Sequence, residues 1–316
     1  MTSASPLKPE PAPRPARFAT VEAGGTKFNV GIGSSDGIIQ CQAQFPTGSP
    51  EETLGEVTSW LDREVEKNGP VDAIGLATFG PIDTDPASRN WGRLGPTPKV
   101  LWQGFDLVAP FRSYGVPFAL DTDVNCAALA EGRWGAGRGC ARVCYLTVGT
   151  GIGGGALIDG KMLSGPSHPE MGHMFIRRHP DDGFAGICAA HGDCLEGLAS
   201  GEAIKARWAL SLSRLDPRDP ANEMIAYYLA QACVNIVAAL APAKIVLGGG
   251  VMGTAGLVAK VRDQFELLGN GYFSALAAEN IMLAELYPIS GLIGGLAIAE
   301  TAFLQSLDRA QNRSSI

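Results

Sequence analysis

Two carboxylates and three glycine turns hold most of the chemistry available to this sequence. The turns are Glu22-Ala-Gly-Gly-Thr-Lys27, Thr147-Val-Gly-Thr-Gly-Ile-Gly-Gly-Gly155 and Leu247-Gly-Gly-Gly-Val251, each after a short β-rich apolar run. A glycine turn at a strand end lets backbone N–H groups approach an anion closely, because no Cβ stands in the way. Three such turns in comparable contexts point to a nucleotide held between two related halves. Phosphoryl transfer to a hydroxyl needs a carboxylate that accepts the proton and aligns the oxygen. It also needs Mg²⁺ near the phosphates, held by a carboxylate or its bound waters. Asp121-Thr-Asp-Val-Asn125 lies at a strand end just before a helix, where side chains project into a cleft. Asp121, Thr122 or Asp123 could instead cap that helix; the glycine turns tip the reading of Asp123 toward catalysis.

A second constellation is His173, Cys188, His191 and Cys194, spaced His-x14-Cys-x2-His-x2-Cys. Four such donors within 22 residues, joined by loop-forming Pro180-Asp-Asp-Gly183 and Gly186, suit a closed tetrahedral Zn²⁺ site. With four protein ligands no position is open for water, so the expected zinc is structural. His168 and His179, each next to a proline, read as solvated. Cys41, Cys126, Cys140, Cys144 and Cys233 read as small packed residues. Trp60 and Trp208 fall on helical patterns as core, whereas Trp91 and Trp102 flank a Pro-rich loop and suit a pocket wall or a dimer contact.

The elements that must position these groups follow from periodicity. Strands are predicted over 18–21, 27–33, 38–45, 73–78 and 118–121, with helices over 50–67 and 126–134. The pattern then restarts with strands over 142–148 and 154–158, helices over 201–212 and 221–240, a strand over 244–247 and a last helix over about 292–307. Strand, glycine turn, strand and Asp-Gly turn recur in both parts, which reads as an internal duplication. A chain of 316 residues exceeds one core. We therefore expect an N-terminal α/β domain over 18–125, joined by the last helix, and a C-terminal α/β domain over 126–291 carrying the loop 173–194.

Five prolines within residues 1–17 suggest a disordered tail rather than a signal peptide. A net charge of −7 disfavours nucleic acid or an anionic membrane as the partner. No run of roughly 18 uninterrupted apolar residues exists. Seven cysteines without framework spacing suggest a reducing, cytoplasmic setting.

Taken together, these motifs resemble the ROK (repressor, open reading frame, kinase) family of sugar kinases from about Phe18 to Leu304. Glu22 to Lys27 is similar to the family's Asp-x-Gly-Gly-Thr-Lys motif, with Glu22 in place of Asp. Asp123 aligns with the family's catalytic base, and Thr122 stands where an Asn is usual. Glu170-Met-Gly-His173 resembles the Glu-x-Gly-His motif, and Glu196 matches a further sugar-binding Glu. The Cys-x2-His-x2-Cys window and Phe79-Gly80-Pro-Ile-Asp83, followed by Thr97-Pro-Lys99 and Trp102, are similar to the bacterial fructokinase branch.

The resemblance implies an actin-like ATPase (ribonuclease-H-like) fold, two duplicated α/β domains around a cleft, and a homodimer. It implies ATP and D-fructose as substrates and fructose 6-phosphate as product. Gly24, Gly25, Thr26, Gly149, Thr150 and Gly151 would cradle the phosphates, and Gly248 and Gly249 would pass close to the adenosine. Glu22 would hold Mg²⁺, Asp123 would act as base, and Lys27 would either neutralise phosphate charge or point to solvent. Gly80, Thr122, Glu170, His173 and Glu196 would face the sugar. The rival readings are another hexose (mannose, glucose or N-acetylmannosamine), a non-catalytic sugar sensor, and an actin-like polymer. A DNA-binding repressor is disfavoured, because about 17 proline-rich residues leave no room for a DNA-reading helix.

Overall fold

A computed structural model describes residues 14–97, 99–165, 167–273 and 276–314. The first half builds a sheet from β1 (Phe18–Ala23), β2 (Lys27–Gly33), β3 (Ile39–Pro46), β4 (Ala73–Thr78) and β5 (Phe118–Thr122), in the order β3-β2-β1-β4-β5. The second half builds β6 (Val143–Val148), β7 (Ile152–Ile158), β8 (Lys161–Met162), β9 (Lys244–Gly248) and β10 (Ile281–Leu283), in the order β10-β9-β6-β7-β8. Read from the opposite edge, this is the same order. In both halves an antiparallel meander is followed by parallel strands on the far side of its first strand. The predicted duplication is therefore borne out by topology. Side-chain patterns follow position in the sheet: central β4 is buried at all six residues, whereas edge strand β3 alternates half-buried with exposed.

The first long helix, α1 (Pro50–Asn68), starts at a capping box in which Ser49 and Glu52 satisfy each other's backbone N–H groups, and it buries Leu54, Val57 and Leu61. Helix α2 (Asp123–Trp134) follows β5 and packs on β6 and β7 of the other half. The second half adds α3 (Leu195–Ala199), α4 (Gly201–Trp208), α5 (Pro220–Leu240) and α6 (Leu257–Gly269). The last helix, α7 (Ser290–Ser314), packs on β1, β4 and β5 of the first sheet. Thus α2 and α7 each carry the chain from one half to the other and cross between the two sheets. At the crossing a Cβ on Gly294 would lie 1.9 Å from the carbonyl oxygen of Cys126, so only glycine allows that approach.

Glu131 locks this crossing. It is fully buried on α2, yet its carboxylate accepts from Ala136 N (3.0 Å), Glu285 N (3.2 Å), Leu286 N (2.9 Å) and Ser290 Oγ (2.9 Å). One acid therefore ties α2 to the segment that leads into α7. A buried carboxylate is tolerable only when its oxygens are satisfied in this way.

Several boundaries differ from the sequence reading. Helix α2 begins at Asp123 rather than Cys126, because Thr122 is its N-cap. Helix α4 stops at Trp208, where Ala209 takes φ 59°, and Leu212–Arg214 forms a separate 3-10 turn. Strand β7 begins at Ile152, so the last glycines of the second turn are strand residues; a Cβ on Gly155 would lie 2.5 Å from the Val124 carbonyl oxygen on α2. Neither α6 nor β10 was expected. Trp102 is no pocket wall or dimer contact but a core residue, 1% exposed and packed against Phe28, Phe79 and Phe105.

Of the expected tail, residues 1–13 lie outside the described residues, and Arg14 already pairs with Asp72 at 2.7 Å. Two helices, Pro220–Leu240 and Ser290–Asn312, have the length and composition to cross a membrane. In each, 56% of the apolar window is buried against the rest of the chain, as in core helices.

Candidate functional site

The two carboxylates converge. Glu22 occupies the penultimate position of β1, and Asp123 is the first residue of α2, where parallel strands end facing the cleft. They line one small pocket with Tyr145, Thr147, Tyr287 and Ser290. Register fixes Glu22: opposite it lies Asn29, and opposite Asn29 lies Gln44. Asn29 donates to Glu22 Oε2 at 2.7 Å, and Gln44 donates to Asn29 Oδ1 at 2.8 Å. Gly291 at the start of α7 leaves room for the same carboxylate, since a Cβ there would lie 2.3 Å from Glu22 Oε1.

Burial raises both acids. Glu22 lies above the usual carboxylate range despite the Asn29 hydrogen bond and the Lys27 charge. Asp123 is pushed up to about 7, first by burial and then by the Glu22 charge, although Val124 N donates to it at 2.9 Å. Two half-buried carboxylates lining one small pocket form a donor set that suits a divalent cation.

The glycine turns flank this pocket. In the first, Gly24 N donates to the Lys27 carbonyl at 3.0 Å, and Thr47 is bonded to both Gly24 and Thr26. Gly24 and Gly25 are half-buried, and Thr26 and Lys27 are exposed. Lys99 overhangs the turn, its Cε 3.8 Å from where a Gly25 Cβ would sit. Its loop is pinned by Trp102, whose Nε1 donates to the Gly48 carbonyl at 3.0 Å.

In the second turn nothing would obstruct a Cβ on Gly149, so its surroundings are open. Gly149 and Thr150 line a cavity of about 360 Å³ with Ile204, Lys205, Ser211 and Val251. The third turn reaches this cavity through Gly250 and Val251 rather than Gly248 and Gly249. Those two glycines lie against neighbouring chain: a Cβ on Gly248 would meet the Tyr145 hydroxyl at 2.2 Å, and one on Gly249 the Val148 carbonyl at 2.4 Å. The α4 residues and Ser211 carry no motif and were missed from sequence.

On the acceptor side the expected residues gather less evenly. Thr122 is 2% exposed, and its hydroxyl accepts from Asn125 N at 3.2 Å, so it serves the helix start. Asp121 lies beside it, its Oδ1 accepting from Thr122 N and Asn125 Nδ2. Glu196 Oε2 accepts from Ile152 N at 3.0 Å, which places Glu196 beneath the second glycine turn. The Glu170 side chain is open, and its Oε1 lies 3.4 Å from Nδ1 of His168. His168 is not solvated as expected: its side chain is 9% exposed, against Gly80.

The Cys/His spacing does converge. One donor atom from each of His173, Cys188, His191 and Cys194 lies within 4.8 Å of the others. The Sγ atom of Cys188 lies 3.6 Å from His173 Nδ1 and 3.8 Å from His191 Nδ1, and Cys194 Sγ lies 3.6 Å from His173 Nδ1. A tetrahedral ion with bonds of about 2.0–2.3 Å has donor separations of about 3.3–3.8 Å. A tight turn makes this possible: the Cys188 and Gly192 backbones exchange hydrogen bonds, with Gly192 at φ 65°. The loop is anchored away from the cluster by the buried pair Arg207–Asp182 at 2.9 Å, with Tyr228 donating to the same carboxylate.

Residues 18–302 match the ROK family. The chain is 44% identical over 291 residues to a fructokinase from Zymomonas mobilis, covering 90% of this chain and 97% of that protein. It is 38% identical over 287 residues to a fructokinase from Pediococcus pentosaceus, covering 90% and 98%. In three dimensions it resembles a ROK hexokinase from Thermus thermophilus, with a TM-score of 0.75, 28% identity and coverage of 92% and 99%. Two duplicated α/β halves facing one another across strand ends define an actin-like ATPase fold. The protein belongs to the ROK family.

Proposed function

We propose that this protein is an ATP-dependent fructokinase that transfers the γ-phosphoryl group of ATP to the 6-hydroxyl of D-fructose. The observation that carries the reading is the facing pair Glu22 and Asp123, set between the glycine turns of both halves in a chain with fructokinases as full-length relatives. Asp123 accepts the proton of the 6-hydroxyl, and its raised affinity for protons, to about 7, matches a base working near neutrality. Gly24, Gly25, Thr26, Gly149, Thr150 and Gly151 offer backbone N–H groups to the phosphates, while Lys27 and Lys99 bring positive charge to the first turn. The adenosine lies in the cavity of Gly250, Val251, Ile204 and Ser211. Glu22 is the residue to hold Mg²⁺, directly or through water; the cation offsets phosphate charge when bound. Gly80, Glu170 and Glu196 bound the acceptor side, and closing the halves over the sugar keeps water from ATP.

His173, Cys188, His191 and Cys194 hold a structural Zn²⁺ in this reading, supported by donor spacings that suit tetrahedral N₂S₂ coordination. The zinc fixes the loop between Glu170 and Glu196. The homodimer implied by the family likeness belongs to the same reading, and sedimentation velocity tests it.

ADP release with Mg·ATP, measured over fructose, mannose, glucose and N-acetylmannosamine against sugar-free blanks, tests the function. Fructose is expected to give the highest kcat/KM by at least tenfold. Another sugar in first place would leave a kinase but overturn fructose, and release no faster than the blank would overturn the kinase.

A further inference from the structure

A histidine between a serine and a proline in a loop has no evident reason to be buried, yet His168 is, with a side chain 9% exposed. The loop runs from β8 to the 3-10 turn Met171–His173, in the second half. The ring crosses to the first half and lies against the turn after β4. A Cβ added to Gly80 would come within 3.1 Å of its Cε1 and 3.2 Å of its Nε2. Gly80 and His168 are thus a matched pair, because any larger residue at position 80 would displace the ring. On the other edge Nδ1 lies 3.4 Å from Glu170 Oε1. Among the described residues nothing hydrogen-bonds Nε2.

A mostly buried ring with one nitrogen beside a carboxylate and the other unpartnered among the described residues is poised for a ligand group. In the neutral tautomer that carries its proton on Nδ1, toward Glu170, Nε2 is an acceptor. We propose that His168 is a specificity-determining residue of the acceptor site, accepting a hydrogen bond at Nε2 from a hydroxyl of the bound sugar while Glu170 sets the ring's angle. This rests on the sugar-kinase reading above. A site built to bond a particular hydroxyl disfavours sugars that present it elsewhere, because its own polar atom is then buried without a partner.

The test is steady-state kinetics on His168→Ala, His168→Gln and His168→Asn with fructose and mannose, with KM for ATP and thermal unfolding measured on each. The amide of Gln reaches about as far as Nε2, and that of Asn about as far as Nδ1. We expect His168→Ala to lose about 10- to 100-fold in kcat/KM for fructose. The fructose-to-mannose ratio should shift by at least fivefold, with KM for ATP and the unfolding midpoint near wild type. Gln should restore most of the loss and Asn little. The proposal fails if fructose turnover stays within twofold in His168→Ala, if both sugars fall equally, or if Asn rescues as well as Gln. The last result would make the ring a strut for Glu170. Wild-type protein idle on every hexose would instead bring down the kinase reading beneath it.

Discussion

The two halves share one frame but do not contribute the same chemistry to the cleft. Aligning β1 with β6 places Glu22 opposite Thr147, each the fifth residue of its strand. Aligning α2 with α7 places Asp123 opposite Ser290, each the first residue of its helix. All four line the same pocket. At both positions the first half supplies a carboxylate and the second a hydroxyl. The turns after the parallel neighbours divide likewise: Gly80, after β4, meets His168, whereas Gly250, after β9, lines the cavity beside Gly149. A duplicated scaffold has kept its strand ends pointing inward and split the labour by residue type. One half presents charge that a cation and a reacting hydroxyl can use. In the reading proposed above, the other lines the nucleotide cavity, mostly with small or neutral groups beside Lys205.

The sharpest way to break this contrast is to swap residue types at equivalent positions. Asp123→Ala should lower kcat by about 10³-fold with KM for ATP little changed, because a positioned base contributes roughly 10²–10⁴. Ser290→Ala should cost less than tenfold. Near-normal turnover by Asp123→Ala, or equal losses at the two positions, would remove the asymmetry. Glu131 offers a second contrast, within α2. Glu131→Ala strands four donors, two of them buried, and should cost about 3 kcal/mol in urea unfolding. Arg133→Ala, which removes an ion pair with Glu300 and a cation–π contact with Trp134 at 5.7 Å, both at the surface, should cost under about 1 kcal/mol. Comparable costs would mean that Glu131 does not lock the crossing. Glu22→Gln should raise the Mg²⁺ concentration for half-maximal rate and lower kcat by about 10²-fold, whereas Thr147→Val should leave the Mg²⁺ requirement within about threefold. An unchanged Mg²⁺ requirement in Glu22→Gln would take the cation away from the first half.

What could be read from sequence was what is written locally. The repeated meander and the Cys/His spacing are short patterns, and the structure brings the residues of each together; the glycine turns lie at strand ends as read, although Gly153–Gly155 continue into β7. What escaped depends on partners far along the chain. Glu131 looks like any acid on a helix, since its partners Glu285, Leu286 and Ser290 lie 154, 155 and 159 residues away. His168 has a solvated neighbourhood in sequence and is buried only because the halves meet over Gly80. Gly248 and Gly249 read as passing close to the adenosine; the structure adds that their missing Cβ atoms make room for Tyr145 and Val148 of β6, which a glycine run in sequence does not reveal. Strand β10 has three residues, too few for a period to show.

The smallest effect expected tests the charge of the first half without any assay of turnover. The Asp123 pKa rises from 3.8 in the open chain to about 7 in the fold. Below pH 4 both states are protonated there, and the residue costs nothing. Between about 4 and 7 the unfolded chain gives up this proton while the folded chain keeps it, so stability falls as pH rises; above 7 the loss levels off. Three units bound the loss at about 4 kcal/mol, and water in the cleft should screen it to about 2. Asp123→Asn keeps the acceptor for Val124 N but cannot ionise. It should therefore match wild type near pH 4 and exceed it by about 2 kcal/mol at pH 8 in metal-free urea unfolding. Added Mg²⁺ should narrow that gap by stabilising the wild-type pair of carboxylates more than the single Glu22 left in the variant. The equivalent change in the second half, Ser290→Ala, removes no titrating group, so its difference from wild type should not vary with pH. A flat difference for Asp123→Asn as well would mean that Asp123 ionises in the fold as easily as in water, and that the two halves do not differ in stored charge.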